Sequence, residues 1–277
     1  MTHPLDGVLG KIERAEAHAA ELMAALKPVL DPNLYRFAFE LDSEPDYHDW
    51  HVLRVWGVPE VKREWSLIAG DCIHNLQSAL DHLAYRLVEL DGANPPGTVT
   101  YFPIKKAPSY EKGRKVKKYT EPEIVRADIR QLLEEVQPYN IVNRFGFDGF
   151  EPEQDWLWLI HRLDIIDKHR LMLFLACVPD PNDLMWAAHP ALIEPPQLFT
   201  SVLKDGSPVA RFKFSGGQKP VDFNPCPPIQ ITLSELETPW LDWWDFQNAL
   251  GHMIGRVKEV VGSNGPLVKS GFRPLFP

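Results

Sequence analysis

The chain has 277 residues, 44% hydrophobic and 24% charged, with a net charge of −9. That is enough chain for a substantial core, with the composition of an ordinary soluble globular protein. The negative balance argues against a general nucleic-acid or membrane binder, because non-specific phosphate binding runs on Lys and Arg.

Three well-separated cysteines, Cys72, Cys177 and Cys226, form no CxxC pair. They fit a reducing compartment better than a disulfide framework or a cysteine zinc site. The N-terminus lacks a charged-then-apolar signal pattern, and the longest apolar run, LMLFLACV at 171–178, is too short for a bilayer. A cytoplasmic protein without membrane contact is expected.

In chain order, 4–27 places Leu5, Val8, Leu9, Ile12, Ala15, Ala19, Leu22, Met23 and Leu26 at helical spacing, and Pro28 ends the run. LYRFAFEL (34–41) alternates, with Tyr35, Phe37, Phe39 and Leu41 on one face, and HVLRVWG (51–57) answers it as a β-hairpin partner. Pro59 opens a long helix to about Leu90, which NPPGT (94–98) ends. A basic loop at 105–118 follows, then a helix near 121–137 and a Gly-rich aromatic loop at 143–150. A helix over about 152–170 runs into the strand-like LMLFLACV. The proline-rich stretch 179–233 holds short alternating runs, VARFKF (209–214) and IQITL (229–233), that read as a small antiparallel sheet. A last helix covers about 234–261, its stripe made of Trp240, Trp243, Trp244, Leu250, Ile254, Val257 and Val261.

The fold class expected is α+β: long helices forming a bundle, packed with a small antiparallel sheet. One domain over 1–277 is expected, with a helical core at about 60–175, a strand-rich segment at about 179–233 and the C-terminal helix at about 234–261.

Two helices carry chemistry. At about 100° per residue, Val61, Trp65, Ile68, Cys72, Leu76, Ala79, Leu83 and Leu87 share a core stripe, while Asp71, His74, Ser78, Asp81, His82 and Tyr85 share another face. A solvated face is more economically filled with Lys and Glu; short residues that make directed hydrogen bonds imply that this face binds something. The 152–170 helix repeats the pattern: Trp156, Leu159, Leu163 and Ile166 on the core stripe, and His161, Asp164, Asp167 and Lys168 flanking it before DKHR (167–170) closes the helix. Basic residues in a last turn also complement the helix dipole. The two polar faces are expected to meet, with His74 or Asp81 in reach of His161, Asp164, Asp167 or His169.

GDCIHNLQSALDHL (70–83), with YFPIKK (101–106) and LIHRLDIIDKHRLML (159–173), resembles an uncharacterised bacterial family that pairs a GDxxHNLRSALDHL helix with an FPI and a later IDKHR segment. That resemblance spans about 60–175 and implies no established activity. In that family's usual form, an Arg five positions before the final His, with four residues between them, is similar to the R-x4-H signature of HEPN ribonucleases. Those are helical, usually dimeric proteins that cleave RNA without metal. The resemblance implies His82 as the general base, with Gln77, a neutral amide, standing where the arginine would be.

Three functions follow as expectations. One is a HEPN-like RNA-processing or RNA-binding protein, catalytically degenerate at Gln77. Its site would be His82, Asp81, His74, Asn75 and Gln77, and the second helix would add His161, Asp164, Asp167, Lys168 and His169. RNA contacts would come from Lys105, Lys106, Lys112, Arg114, Lys115, Lys117 and Lys118, seven cations set against Glu111 alone. A homodimer is expected with it. The second is an interaction or scaffold protein whose Asp/His cluster is a structural hydrogen-bond network. The third is a divalent-metal enzyme at Asp71, His74, His161 and Asp164, because both i, i+3 pairs could present a carboxylate and an imidazole to one ion.

Overall fold

The computed structural model describes residues 5–90, 101–107, 131, 133–140, 151–170, 175–179, 187–199, 201–233 and 246–262. The architecture is α+β. Helix α1 is Asp6–Leu26; β1, Arg36–Leu41, and β2, His51–Trp56, form the hairpin; α2 is Arg63–Leu90 and α3 is Trp156–Arg170. Strands β3 (Leu175–Pro179), β4 (Gln197–Leu198), β5 (Pro208–Phe212) and β6 (Ile229–Leu233) precede helix α4, Phe246–Val261. Contacts divide the chain into two compact units: Met1–Glu21, Leu67–Leu173 and Leu250–Pro277 in the first, Leu22–Ser66 and Phe174–Ala249 in the second.

Local chemistry sets several of these boundaries. α3 starts at Trp156 rather than near 152 because Asp155 keeps an extended backbone and its carboxylate accepts the Leu157 N–H at 2.8 Å. Such a cap satisfies one of the orphan donors of a first turn. Pro152–Gln154 forms a separate 3-10 turn ahead of it. After β2, Gly57 sits at φ 83, and a Cβ there would stand 2.7 Å from the Leu34 carbonyl oxygen. Only glycine fits that turn.

In the first unit the helices are tied in sequence around a shared core. Lys11 Nζ donates to Asn75 Oδ1 at 3.3 Å and the Cys72 thiol to the Ala15 carbonyl at 3.3 Å, joining α1 to α2. His74 joins α2 to α3, the stacked rings of Trp156 and His252 at 5.1 Å join α3 to α4, and a Lys258–Glu16 ion pair joins α4 to α1. Between them Val8, Ile12, Ile73, Leu76, Leu80, Leu83, Leu157, Leu159, Ile160, Leu163, Met253 and Val257 are buried. Each such side chain contributes roughly 1.5–3 kcal/mol on leaving water. α2 is enclosed over more of its circumference than its expected stripe: Ala69, Ile73, Leu80, Ala84 and Val88 are buried as well.

In the second unit an antiparallel sheet runs in the order β1-β2-β5-β4, and β3 pairs with β6 as a separate ribbon. Leu53, Ala187, Ala210, Phe212, Phe214 and Phe223 form its core, with Phe37 and Phe39 packed against them. The expected alternation of β1 is present, but Leu41 at its end is 66% exposed. Of the last expected helix, the segment 234–245 with Trp240, Trp243 and Trp244 lies outside the described residues, as does the loop 143–150.

Candidate functional site

The polar faces of α2 and α3 do meet. Asp164, buried to 3% exposure on α3, accepts from His74 Nδ1 at 3.0 Å through one oxygen and from Lys168 Nζ at 2.5 Å through the other. The other ring nitrogen of His74, Nε2, lies 3.5 Å from Ser78 Oγ, one turn further along α2. A buried carboxylate in this position has to be paired, and both of its oxygens are.

The order Asp164–His74–Ser78 is that of a serine-hydrolase triad, and its surroundings argue against that chemistry. Ser78 and His74 sit four residues apart inside one continuous helix, whose backbone N–H groups are committed to i−4 carbonyls and offer no oxyanion donors. Lys168 neutralises the carboxylate that would have to support an imidazolium. The arrangement works as a cross-link between helices.

Asp167 lies against α2. A Cβ added at Gly70 would meet the Asp167 carboxylate atoms at 2.5, 2.8 and 2.9 Å, so Gly70 is what lets α3 approach. Burial first, then the neighbouring charges of Asp164 and Asp71, push the Asp167 pKa up. One turn before Asp164 on α3, burial lowers the His161 pKa, partly offset by the Asp164 charge, and its ring lies 5.9 Å from Trp158. Trp158 in turn carries the Lys106 ammonium 4.6 Å from its ring centroid, and Lys106 pairs with Glu153.

Asp81, two turns along the same face of α2 as His74, takes different hydrogen-bond partners. A single oxygen, Oδ1, accepts from the Phe102 backbone N–H at 3.0 Å and from Gln77 Nε2 at 3.0 Å. Burial pushes the Asp81 pKa up, partly offset by those two hydrogen bonds. Gln77 is 4% exposed, and among the described residues its buried Oε1 has no donor. Gln137 grips the same segment from the other end: its amide nitrogen donates to the Pro103 and Leu133 carbonyls, each at 2.8 Å, and its oxygen accepts from Lys105 N at 3.0 Å. The backbone of residues 102–105 is therefore held by one side chain from α2 and one from the 133–140 segment.

The expected site residues thus separate. His74, Asp164, Asp167 and Lys168 come together; Asp81 and Gln77 form a second group with Phe102. Asn75 turns inward, donating to the Asp71 carbonyl at 2.7 Å and accepting from Lys11. His82 is exposed, beside the first turn of α1, where a Cβ on Gly7 would stand 3.2 Å from its Nδ1. The side chain of His169 lies outside what is described, as do Lys112, Arg114, Lys115, Lys117 and Lys118; of the basic run only Lys105 and Lys106 are described. Among the described residues no group of three or more His, Cys, Asp or Glu side chains could hold a metal ion, and no helix is long and apolar enough to cross a membrane. Sequence reasoning missed Gln137, whose only signal is a polar residue beside a proline, and the partnership of Asp81 with the FPI segment.

No protein-family model, curated protein or solved structure matches the chain. The reading of the site rests on its own geometry.

Proposed function

We propose that the chain is an interaction or scaffold protein whose Asp/His cluster is a structural hydrogen-bond network. The observation that carries this reading is the occupation of Asp81: its Oδ1 holds the Phe102 N–H and the Gln77 amide, leaving it committed to backbone and neighbour rather than to a ligand. Gln77 is buried beside it, so the residue in the arginine position of the R-x4-H pattern faces the interior. His74, Asp164 and Lys168 act in the same way between α2 and α3. Networks of this kind specify a helix packing without chemistry.

A second reading, a HEPN-like RNA-binding or RNA-processing protein, is favoured by one observation. The His82 imidazole is exposed and, among the described residues, is in no hydrogen bond, while Lys105 and Lys106 open the basic run. A pair of variants separates the two readings. Under the scaffold reading Gln77→Arg forces a long cation into a filled space and lowers stability by about 1–3 kcal/mol, while His82→Ala changes little and no RNA is cut. Under the RNA reading His82→Ala abolishes cleavage and Gln77→Arg raises it. Melting temperature and ribonuclease activity on both variants decide, and metal analysis of the purified protein tests the divalent-metal alternative.

A further inference from the structure

Among the described residues the outer edge of β1 is unpaired, and its sequence is self-complementary. The sheet order β1-β2-β5-β4 leaves β1 at the rim. The hairpin register pairs Arg36 with Trp56, Phe37 with Val55, Ala38 with Arg54, Phe39 with Leu53 and Glu40 with Val52. Val55 gives its N–H to the Ser207 carbonyl at 3.1 Å and accepts the Gly206 N–H at 2.7 Å, both away from β1. Asp42 N–H reaches the Trp50 carbonyl at 2.9 Å, which continues the ladder on the even-numbered residues of β1. In an antiparallel pair hydrogen-bonded and non-bonded positions alternate, so the N–H and C=O groups of Phe37, Phe39 and Leu41 point outward. Among the described residues nothing bonds to them.

The side chains along this edge are as open as its backbone. Arg36, Ala38, Glu40 and Leu41 are exposed, and Phe37 and Phe39 are only half-buried although they pack on the phenylalanine core. Long open edges with apolar flanks are templates for pairing with another strand.

We propose that β1 is a homodimer interface, with two copies of the chain pairing antiparallel through Arg36–Leu41 about a two-fold axis at Ala38. That register sets Arg36 opposite the second copy's Glu40 and Glu40 opposite its Arg36, and lets Phe37 and Phe39 exchange both backbone hydrogen bonds with Phe39 and Phe37 of the other strand. Ala38 meets Ala38 at a non-bonded position, where the strands' side chains come closest and a methyl group fits. Opposite charges directly across strands stabilise pairing, and like charges oppose it. Parallel in-register pairing would set Arg36 on Arg36 and Glu40 on Glu40, so the charge pattern selects the antiparallel arrangement and a second copy of this chain as the partner. The interface involves the second unit alone and stands whether or not the polar helix faces are catalytic.

Charge reversal of the full chain tests it by sedimentation from micromolar to submillimolar concentration. Glu40 is paired within the chain to Arg54, and Arg36 lies over Trp56, both near the surface, so thermal melts first establish that the variants fold. The wild type is expected to dimerise, and Glu40→Arg and Arg36→Glu each to weaken the dimer at least about tenfold. An equimolar mixture of the two variants recovers it as a heterodimer, because the two like-charge oppositions in each variant homodimer become two opposite-charge ones in the heterodimer. The double variant Arg36→Glu with Glu40→Arg recovers it as a homodimer. A wild type monomeric throughout, a dimer indifferent to either reversal, or reversals that fail to recover on mixing would overturn the proposal.

Discussion

Both hydrogen bonds to Asp81 converge on one oxygen, so an amide can replace the carboxylate without losing either. Asp81→Asn is expected to keep the Phe102 and Gln77 contacts and to match or exceed the wild type at neutral pH. Asp81→Ala strands two buried donors and should cost about 1–3 kcal/mol. The pH dependence has a definite sign. Burial raises the folded-state pKa of Asp81 and of Asp167 above that of an unfolded carboxyl. The folded chain then holds these protons more tightly, so their contribution is favourable at low pH and is lost as pH rises through the raised folded values. His161 is lowered by burial, so it favours folding above its unfolded value near 6.5 and loses that contribution as pH falls through the window below it. Melts across the acid range should show a shallower loss on raising the pH for Asp81→Asn than for the wild type; identical slopes would mean that Asp81 has the same pKa in the folded and unfolded chain. Gly70 offers a test of opposite character. Glycine to alanine inside a helix ordinarily gains about 1 kcal/mol, but Gly70→Ala should destabilise by about 1–3 kcal/mol by overpacking on Asp167. In an Asp167→Ala background the ordinary gain should return, and a double-mutant cycle by urea unfolding measures the coupling.

At the scale of elements, the α2–α3 contact is a buried carboxylate with two partners, the His74 imidazole and the Lys168 ammonium, that are each about half-exposed. Asp164→Ala should therefore cost about 2–4 kcal/mol, while His74→Ala, which leaves Lys168 on the same carboxylate, should cost about 1 kcal/mol. Denaturant midpoints on the two variants check the order. Across the α1–α2 contact, burial pushes the Cys72 thiol pKa up to about 12. Cys72 should resist alkylation in the native protein at neutral pH while the exposed Cys226 reacts, which peptide mapping after iodoacetamide treatment reads directly. The meeting of the polar faces was legible in the sequence because Asp and His side chains at a core boundary need partners, and helical periodicity says which of them share a side. Their roles were not legible. The tie between Asp81 and Phe102 joins residues 21 apart through a backbone N–H, which leaves no mark in side-chain periodicity. Asn75 and Gln77 are expected from the sequence in one site with His82, but α2 is enclosed on more sides than its apolar stripe indicated, and both turn inward.

For the whole molecule, α+β class, both strands of the hairpin and IQITL as a strand were readable from period and turn residues. The grouping into two units was not, because each draws on distant stretches of chain and no composition change marks a boundary. The long helices α1 and α2 each contribute to both units, so continuous helical periodicity reads as one domain. Within the first unit, the residues that give the GD–HNL–SALDHL stretch its unusual polarity are spent on joining α1, α2, α3 and the 102–105 segment. The measurement that tests this account most directly is residue-resolved amide hydrogen exchange at Phe102 in the wild type and in Asp81→Ala. The account requires Phe102 to exchange slowly in the wild type and at least about tenfold faster in the variant, a loss of about 1.4 kcal/mol or more of protection. An Asp81→Ala protein whose Phe102 amide is equally protected, and whose stability is unchanged, would contradict the claim that this motif holds the fold together.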